Sequence, residues 1–254
     1  MAGNTARPGA SVTGRVLAIL DSFDSRHREQ RLSDIARRAD LALPTAHRLV
    51  AELSAGGLLT RLDSGAYFIG RRLWDLGLLA PAQTGLREVA SPFLHDIYGA
   101  TLATVHLAVR DGTRVLYLDR LSGHRSVPVV SRIGSRLPLH STGVGKVLLA
   151  YAPDDVQLTV LSNLTRVTAY TITQPGRLRQ ELARVRQEGF AQTSEEMSLG
   201  ACSVAVPVRG QSDRVVAALG IVVASLKRDR PRLVAALEVA AQGIRRTLDP
   251  GSAQ

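Results

Sequence analysis

Apolar residues recur at helical spacing near the start of the chain. Val16, Leu17, Ile19, Leu20 and Phe23 predict a first helix, with Ser11 or Thr13 placed to cap it. After the polar stretch Asp24 to Gln30, the run Leu32-Ser33-Asp34-Ile35-Ala36-Arg37-Arg38-Ala39 predicts a short second helix. Ser33 is its expected N-cap, and Ile35, Ala36 and Ala39 point inward. Asp40 to Leu43 leaves room only for a tight turn. Pro44 opens the next helix, where its missing N–H costs nothing, and Gly56-Gly57 ends it. Within that helix Ala46, Leu49, Val50 and Leu53 fall on one stripe. The opposite face presents Pro44, Arg48 and Ala51, flanked by Thr45, His47 and Glu52. Two short helices across so brief a turn make a helix-turn-helix. Leu58–Leu62 and Ala66–Ile69 flank Asp63-Ser64-Gly65, a hairpin turn, and supply a wing that carries Arg61.

Further along the pattern changes. Gly70 to about Thr84 predicts a linker helix, although Gly77 and Pro81 argue against a long rigid rod. A helix over roughly Leu86–Tyr98 leads into a second domain. There, Leu102–Val109 and Arg114–Leu121 form a strand pair around Asp111-Gly112, and Ala201–Val208 and Val215–Ser225 form another. Helices are expected over Gly145–Tyr151, Gly176–Glu188 and Pro231–Leu248. Strands and helices segregate rather than alternate, which predicts an α+β chain with a mostly antiparallel sheet. The domain plan is a flexible N-terminus (1–11), a winged helix-turn-helix (12–70), a linker helix (71–85) and a larger second domain (86–254).

Composition adds limits. The chain has 254 residues, enough for two cores. It has no apolar run of membrane-spanning length and a single cysteine, Cys202, which excludes an internal disulfide and fits a reduced cytoplasm. The net charge is +10, carried almost wholly by arginine, since Lys146 and Lys227 are the only lysines. Residues 1–85 carry 11 Arg against 8 acids, so the charge is not concentrated on the helix-turn-helix. Charge therefore permits a nucleic-acid partner without establishing one.

Several stretches in fixed order resemble the IclR family of regulators. In the first domain these are Leu32 to Ala39, Thr45-Ala46-His47-Arg48-Leu49 and Tyr67-Phe68-Ile69-Gly70. In the second they are Pro138-Leu139-His140-Ser141-Thr142-Gly143-Val144-Gly145-Lys146-Val147-Leu148-Leu149-Ala150, Val185 to Phe190, Glu195-Glu196 and Gly200 through Pro207. The resemblance implies a winged helix-turn-helix, a GAF-like α/β effector-binding domain, a double-stranded DNA operator near a promoter, a small-molecule effector, and a homodimer or homotetramer. No cofactor is expected from the residues themselves. Some family members repress and others activate. This chain departs from the pattern at Asp40, where Gly is common, and at Pro44, where Ser is common. At Thr193, Ser203, Gly220 and Val222 better-known members hold a small carboxylate with polar side chains; here the set is depleted, and Cys202 stands one residue early. A larger or less polar effector than a short keto acid is the expectation.

Candidate residues follow. For DNA they are Ser33, Pro44, Thr45, His47, Arg48 and Arg61. Arg48 can pair bidentately with guanine or contact phosphate, His47 can equally be packed, and Arg61, Arg71 and Arg72 suit phosphates. For the effector they are His106, Ser141, Gly143, Val144, Thr193, Glu195, Cys202, Ser203, Gly220 and Val222. Gly143-Val144-Gly145-Lys146 looks like part of a phosphate loop, but His140 and Val147 stand where that motif needs Gly and Ser or Thr. The remaining readings are a glycine turn with its N–H groups toward the effector, or a turn needed only for packing. His106, His140, Ser141, Cys202 and Ser203 show no catalytic spacing, and the histidines no metal-ligand spacing. The rival function is a small-molecule-processing enzyme that uses the winged helix only to dimerise.

Overall fold

The computed structural model describes residues 11–24, 26–79, 81–123 and 126–248. Apart from Ser11, the expected flexible N-terminus lies outside them. The chain divides into two compact units, Met1–Pro81 and Ala82–Gln254.

The first unit contains α1 (Val12–Asp21), α2 (Leu32–Arg38), α3 (Leu43–Ala55), β1 (Leu59–Arg61), β2 (Tyr67–Ile69) and α4 (Arg71–Leu78). Ser11 caps α1, its hydroxyl accepting from the Gly14 N–H at 3.0 Å. The expected Ser33 cap is not formed. Helix α2 begins two residues earlier than a Ser33 cap requires, at Leu32 behind Arg31, so Ser33 lies in the first turn rather than ahead of it. Asp40 holds the turn between α2 and α3 at φ 52°, a left-handed conformation that Asp tolerates better than most residues. The apolar stripe of α3 is buried as its spacing requires, and Leu49 and Val50 join Ile19, Ile35, Leu59 and Tyr67 in one core. Strands β1 and β2 pair from Leu59↔Ile69 to Arg61↔Tyr67. Gln30 adds a bridge to Tyr67, which ties the segment before α2 to the wing. The linker is not one helix. It breaks after Leu78 and restarts at Pro81, as the Gly77 and Pro81 positions suggest.

The second unit contains α5 (Pro81–Thr101), β3 (Thr104–Asp111), β4 (Arg114–Leu121), β5 (Arg136–Pro138), α6 (Gly143–Ala150), α7 (Asp154–Leu161), α8 (Pro175–Glu188), β6 (Ala191–Ser194), β7 (Cys202–Arg209), β8 (Val215–Val223) and α9 (Arg230–Leu248). Its six strands run β5-β4-β3-β8-β7-β6, every pair antiparallel. Alternation along the strands sends Leu107, Val206, Leu219 and Ile221 to one face, where α5 and α9 cover them. The other face presents Ala108, Ala205 and Ala218, with α6, α7 and α8 packed over it. Small residues on that face let α6 sit close enough to the sheet that all eight of its residues are buried. Among the described residues no helix is long and apolar enough to cross a membrane.

Candidate functional site

The outward face of α3 is open. Pro44, His47 and Arg48 are exposed and Thr45 is half-buried, so His47 is not a packed core histidine. The Arg48 guanidinium rests on Glu52, with Nη1 2.7 Å from Oε1. An exposed i,i+4 pair of this kind is worth only about 0.3–0.5 kcal/mol, so Arg48 can leave it for a better acceptor. On the wing, Arg61 lies exposed with its guanidinium carbon 5.8 Å from the centre of the Tyr67 ring. Arg72 is exposed but tethered by one hydrogen bond. Its Nη1 donates to the Gly56 carbonyl at 3.0 Å, closing the C-terminal end of α3.

A cavity opens in the second unit where the N-terminal end of α6 meets the small-residue face of the sheet. It gathers His106 from β3, Gly143 and Val144 from α6, Thr193 from β6, Ser203 from β7, and Gly220 and Val222 from β8. Three other candidates stand elsewhere. Ser141 is buried and donates its hydroxyl to Met197 Sδ at 3.3 Å. Glu195 accepts from the Gly200 N–H at 2.9 Å and stabilises its own loop. Cys202 is next to Ser203 on β7 and therefore points to the other side of the sheet.

Two glycines make the cavity possible. A methyl group at Gly143 would sit 2.5 Å from Ser203 Oγ, and one at Gly220 would sit 2.7 Å from Val144 Cγ1. Thr142 caps α6 by accepting from the Gly145 N–H at 3.2 Å. The first-turn N–H groups of Gly143 and Val144 have no helical partner by geometry, so this end of the cavity favours negative charge. Thr193 and Ser203 pair their hydroxyls at 2.6 Å.

Opposite lies His106, 4% exposed, its Nε2 2.8 Å from Ser131 Oγ. Burial, reinforced by the charge of Arg120, pushes its imidazole down to about 3, so it is neutral at physiological pH. Tyr117 meets the His106 ring edge-on, with centroids 4.9 Å apart, and burial pushes its phenol above the usual range. No Asp, Glu, Lys or Arg lines the cavity among the described residues. Tyr117, Ser131 and Met197 were not marked by the sequence pattern. Only the pairing of β3 with β4 and the return of two loops bring them to His106.

Lys146 does not serve a phosphate loop. It is 1% exposed on α6, and its Nζ contacts Glu196 Oε1 at 2.6 Å. Burial pushes the Glu196 carboxyl above the ordinary range, against the pull of Lys146, and its Oε2 is buried without a partner.

A winged helix-turn-helix with an open recognition face, followed by a unit enclosing an uncharged small-molecule cavity, defines a ligand-responsive transcription regulator. The model for the IclR helix-turn-helix domain matches residues 12–63, and that for the bacterial transcriptional regulator IclR C-terminal domain matches residues 80–246. The chain belongs to the IclR family of bacterial transcription regulators. It is 33% identical over 210 residues to the HTH-type transcriptional regulator XynR of Escherichia coli K12, covering 82% of this chain and 83% of that protein. It is 29% identical to the regulator KdgR of Dickeya chrysanthemi, over 91% of this chain and 77% of that one. Among solved structures, an IclR homologue from Microbacterium hydrocarbonoxydans complexed with 4-hydroxybenzoate matches with a TM-score of 0.91 and 36% identity, covering 95% of this chain and all of the other. The Thermotoga maritima IclR matches with a TM-score of 0.77 at 29% identity, over 93% and 98% of the two chains. The protein is thus a DNA-binding regulator modulated by an effector, as the resemblance implied.

Proposed function

We propose that this regulator reads its operator as a homodimer through Pro44, Thr45, His47 and Arg48 of α3, and that its effector is a compact hydroxylated aromatic acid. The observation that carries the effector class is the uncharged cavity itself. It offers an aromatic edge from Tyr117 and neutral His106, a hydroxyl pair, and the unpaired N–H groups at the start of α6. An acid group suits the α6 end. A ring suits Tyr117 and Val222, and a ring hydroxyl suits Thr193, Ser203 or His106. The 4-hydroxybenzoate in the Microbacterium homologue has this chemistry. A homodimer would cover the apolar side chains of Trp74, Leu76 and Leu79, which stand exposed on and just after α4.

The free space also suggests how the signal arises. The cavity holds about 50 Å³ of free space. That is room for a few waters, whereas a cavity that takes benzene measures about 150 Å³. A ring needs more room than this arrangement leaves, and the loop residues Val129–Ser131 and Met197–Ser198 that line the cavity are the ones that would make it by moving outward. The ligand therefore binds the two conformations with different affinity, the condition for shifting a population. A coupling of about 1–3 kcal/mol to operator affinity is typical.

Two measurements test this. Calorimetric titration with 4-hydroxybenzoate and with pyruvate should show saturable binding of the aromatic acid alone; binding of pyruvate alone contradicts the effector class. Mobility shifts on genomic fragments should show sequence-specific binding that the aromatic acid alters without turnover. Turnover by a protein showing no sequence preference favours the enzyme reading instead. Arg48→Ala should cost about 1–3 kcal/mol of discrimination at one base pair. Unchanged operator affinity at fixed salt would mean that α3 is not the reading helix.

A further inference from the structure

A second cleft lies at the β6 edge of the sheet, between α8 and the start of α9. It holds about 430 Å³, and its lining differs in kind from that of the first cavity. Arg177 and Arg184 of α8, Lys227 after β8, Arg230 at the start of α9 and the buried Lys146 all line it. Two carboxylates face them, Glu181 and Glu196, which leaves a net charge of +3. Both carboxylates are already engaged, Glu181 with Arg184 at 3.3 Å and Glu196 with Lys146 at 2.6 Å. Among the described residues Arg177 and Lys227 make no ion pair, and Arg230 reaches only the side-chain oxygen of Gln192 at 3.3 Å.

Several arginines elsewhere on the chain are held by carboxylates. Arg209 and Arg245 share Asp213, Arg136 holds Asp111, and Arg38 holds Asp24. In the cleft, Arg177 of α8, Lys227 after β8 and Arg230 of α9 converge with no carboxylate paired to them, so they repel one another and focus a positive potential into it. Guanidinium forks match oxyanion geometry, and several together favour an anion with more than one charge.

The cleft also adjoins the effector cavity. Thr193 lines both. Glu196 lines the cleft, while the next two residues, Met197 and Ser198, line the cavity. The Lys146–Glu196 contact joins α6, whose first turn faces the effector, to that same loop. Glu196 Oε2 is buried without a partner, so the contact is only half satisfied and is the joint that a competing anion would strain.

We propose that this cleft binds a small multivalent oxyanion, a phosphate ester or a polycarboxylate, as a second ligand that communicates with the effector cavity through the loop from Glu195 to Ala201. Binding there does not depend on which molecule fills the first cavity.

The test is calorimetric titration of the full-length protein with inorganic pyrophosphate, and separately with citrate, at about 0.15 M salt. One saturable site per chain is expected. Preference for pyrophosphate assigns the phosphate class, and preference for citrate the polycarboxylate class. The double variant Arg177→Ala/Arg230→Ala should bind about tenfold more weakly or worse. Both residues are exposed, so the core is untouched. Arg245→Ala, which removes an arginine that does not line the cleft, should bind as the wild type does. Absence of saturable binding up to about 10 mM of either anion overturns the proposal, as does equal weakening by Arg245→Ala. Amide hydrogen exchange at Met197–Ala201 should change on saturation with the tighter anion; unchanged exchange there overturns the communication.

Discussion

The two faces of the six-stranded sheet are built from the same strands and do opposite work. On the α5–α9 face, Leu107, Val206, Leu219 and Ile221 pack with Leu94, Leu237 and Ile244, and the buried polar exception is Asp119, which accepts from Arg87 of α5 at 3.2 Å. On the α6 face the central strands present Ala108, Ala205, Ala218 and Gly220. Removing side-chain volume there brings α6 close, and the space left beside its N-terminal end becomes the cavity. The same face carries His106, with no charged partner, and the half-satisfied Lys146–Glu196 pair. One face anchors the unit. The other accepts a cavity and an uncompensated polar atom, features that cost stability.

Substitutions should separate the faces. The largest effect is expected at Lys146→Met, which leaves Glu196 buried without its partner and should cost about 3–5 kcal/mol near pH 8. That cost should shrink toward pH 5 as the Glu196 carboxyl, already shifted upward by burial, takes a proton. Adding Glu196→Leu should restore most of the loss, since replacing a buried pair by apolar groups is often neutral. Denaturant titrations at the two pH values decide this, and a pH-independent loss would assign the cost to packing. On the opposite face Leu219→Ala should cost about 3 kcal/mol at every pH, from lost burial and a residual void, while ligand binding by the folded fraction stays intact.

A smaller effect is expected from His106. Its imidazole sits at about 3 in the fold against 6.5 when exposed, so between those values the unfolded chain binds a proton that the folded chain does not. Its contribution is complete above pH 6.5 and is lost as pH falls toward 3, about 2–3 kcal/mol of it between pH 6.5 and 4.5. Burial lowers His140 as well, with the same sign. Denaturation midpoints of the wild type and His106→Gln across that window should differ in slope; parallel curves would mean that His106 is not buried neutral.

Legibility along the chain followed the range of the interactions. The helix-turn-helix could be read because its stripe on α3 repeats within 13 residues and its breakers, Asp40, Pro44 and Gly56, act locally. Ser33 misled because Ser suits an N-cap, yet the chain enters α2 behind Arg31 with no side-chain cap at all. In the second unit β5 and β6 span only three and four residues, too short for an alternation to register, and the single-sided pattern of α7 is weak. The cavity depends on which strand lies beside which. His106 could be suspected alone, but its neighbours Tyr117 and Ser131 come from later in the chain, the first across a β-bulge between Leu107 and Ala108. Cys202 and Ser203 are adjacent in sequence, and the period of two alone decides that Ser203 meets the cavity and Cys202 does not.

The role of the cavity is tested most sharply by a calorimetric titration of 4-hydroxybenzoate into the wild type and Gly220→Ala, with a thermal melt to establish that the variant keeps a cooperative transition. The added methyl would stand 2.7 Å from Val144 Cγ1 and drive that side chain into the cavity. One site per chain is expected in the wild type and at least a tenfold loss in the folded variant, about 1.4 kcal/mol or more. Equal binding by both proteins would place the aromatic acid outside this cavity and refute the assignment.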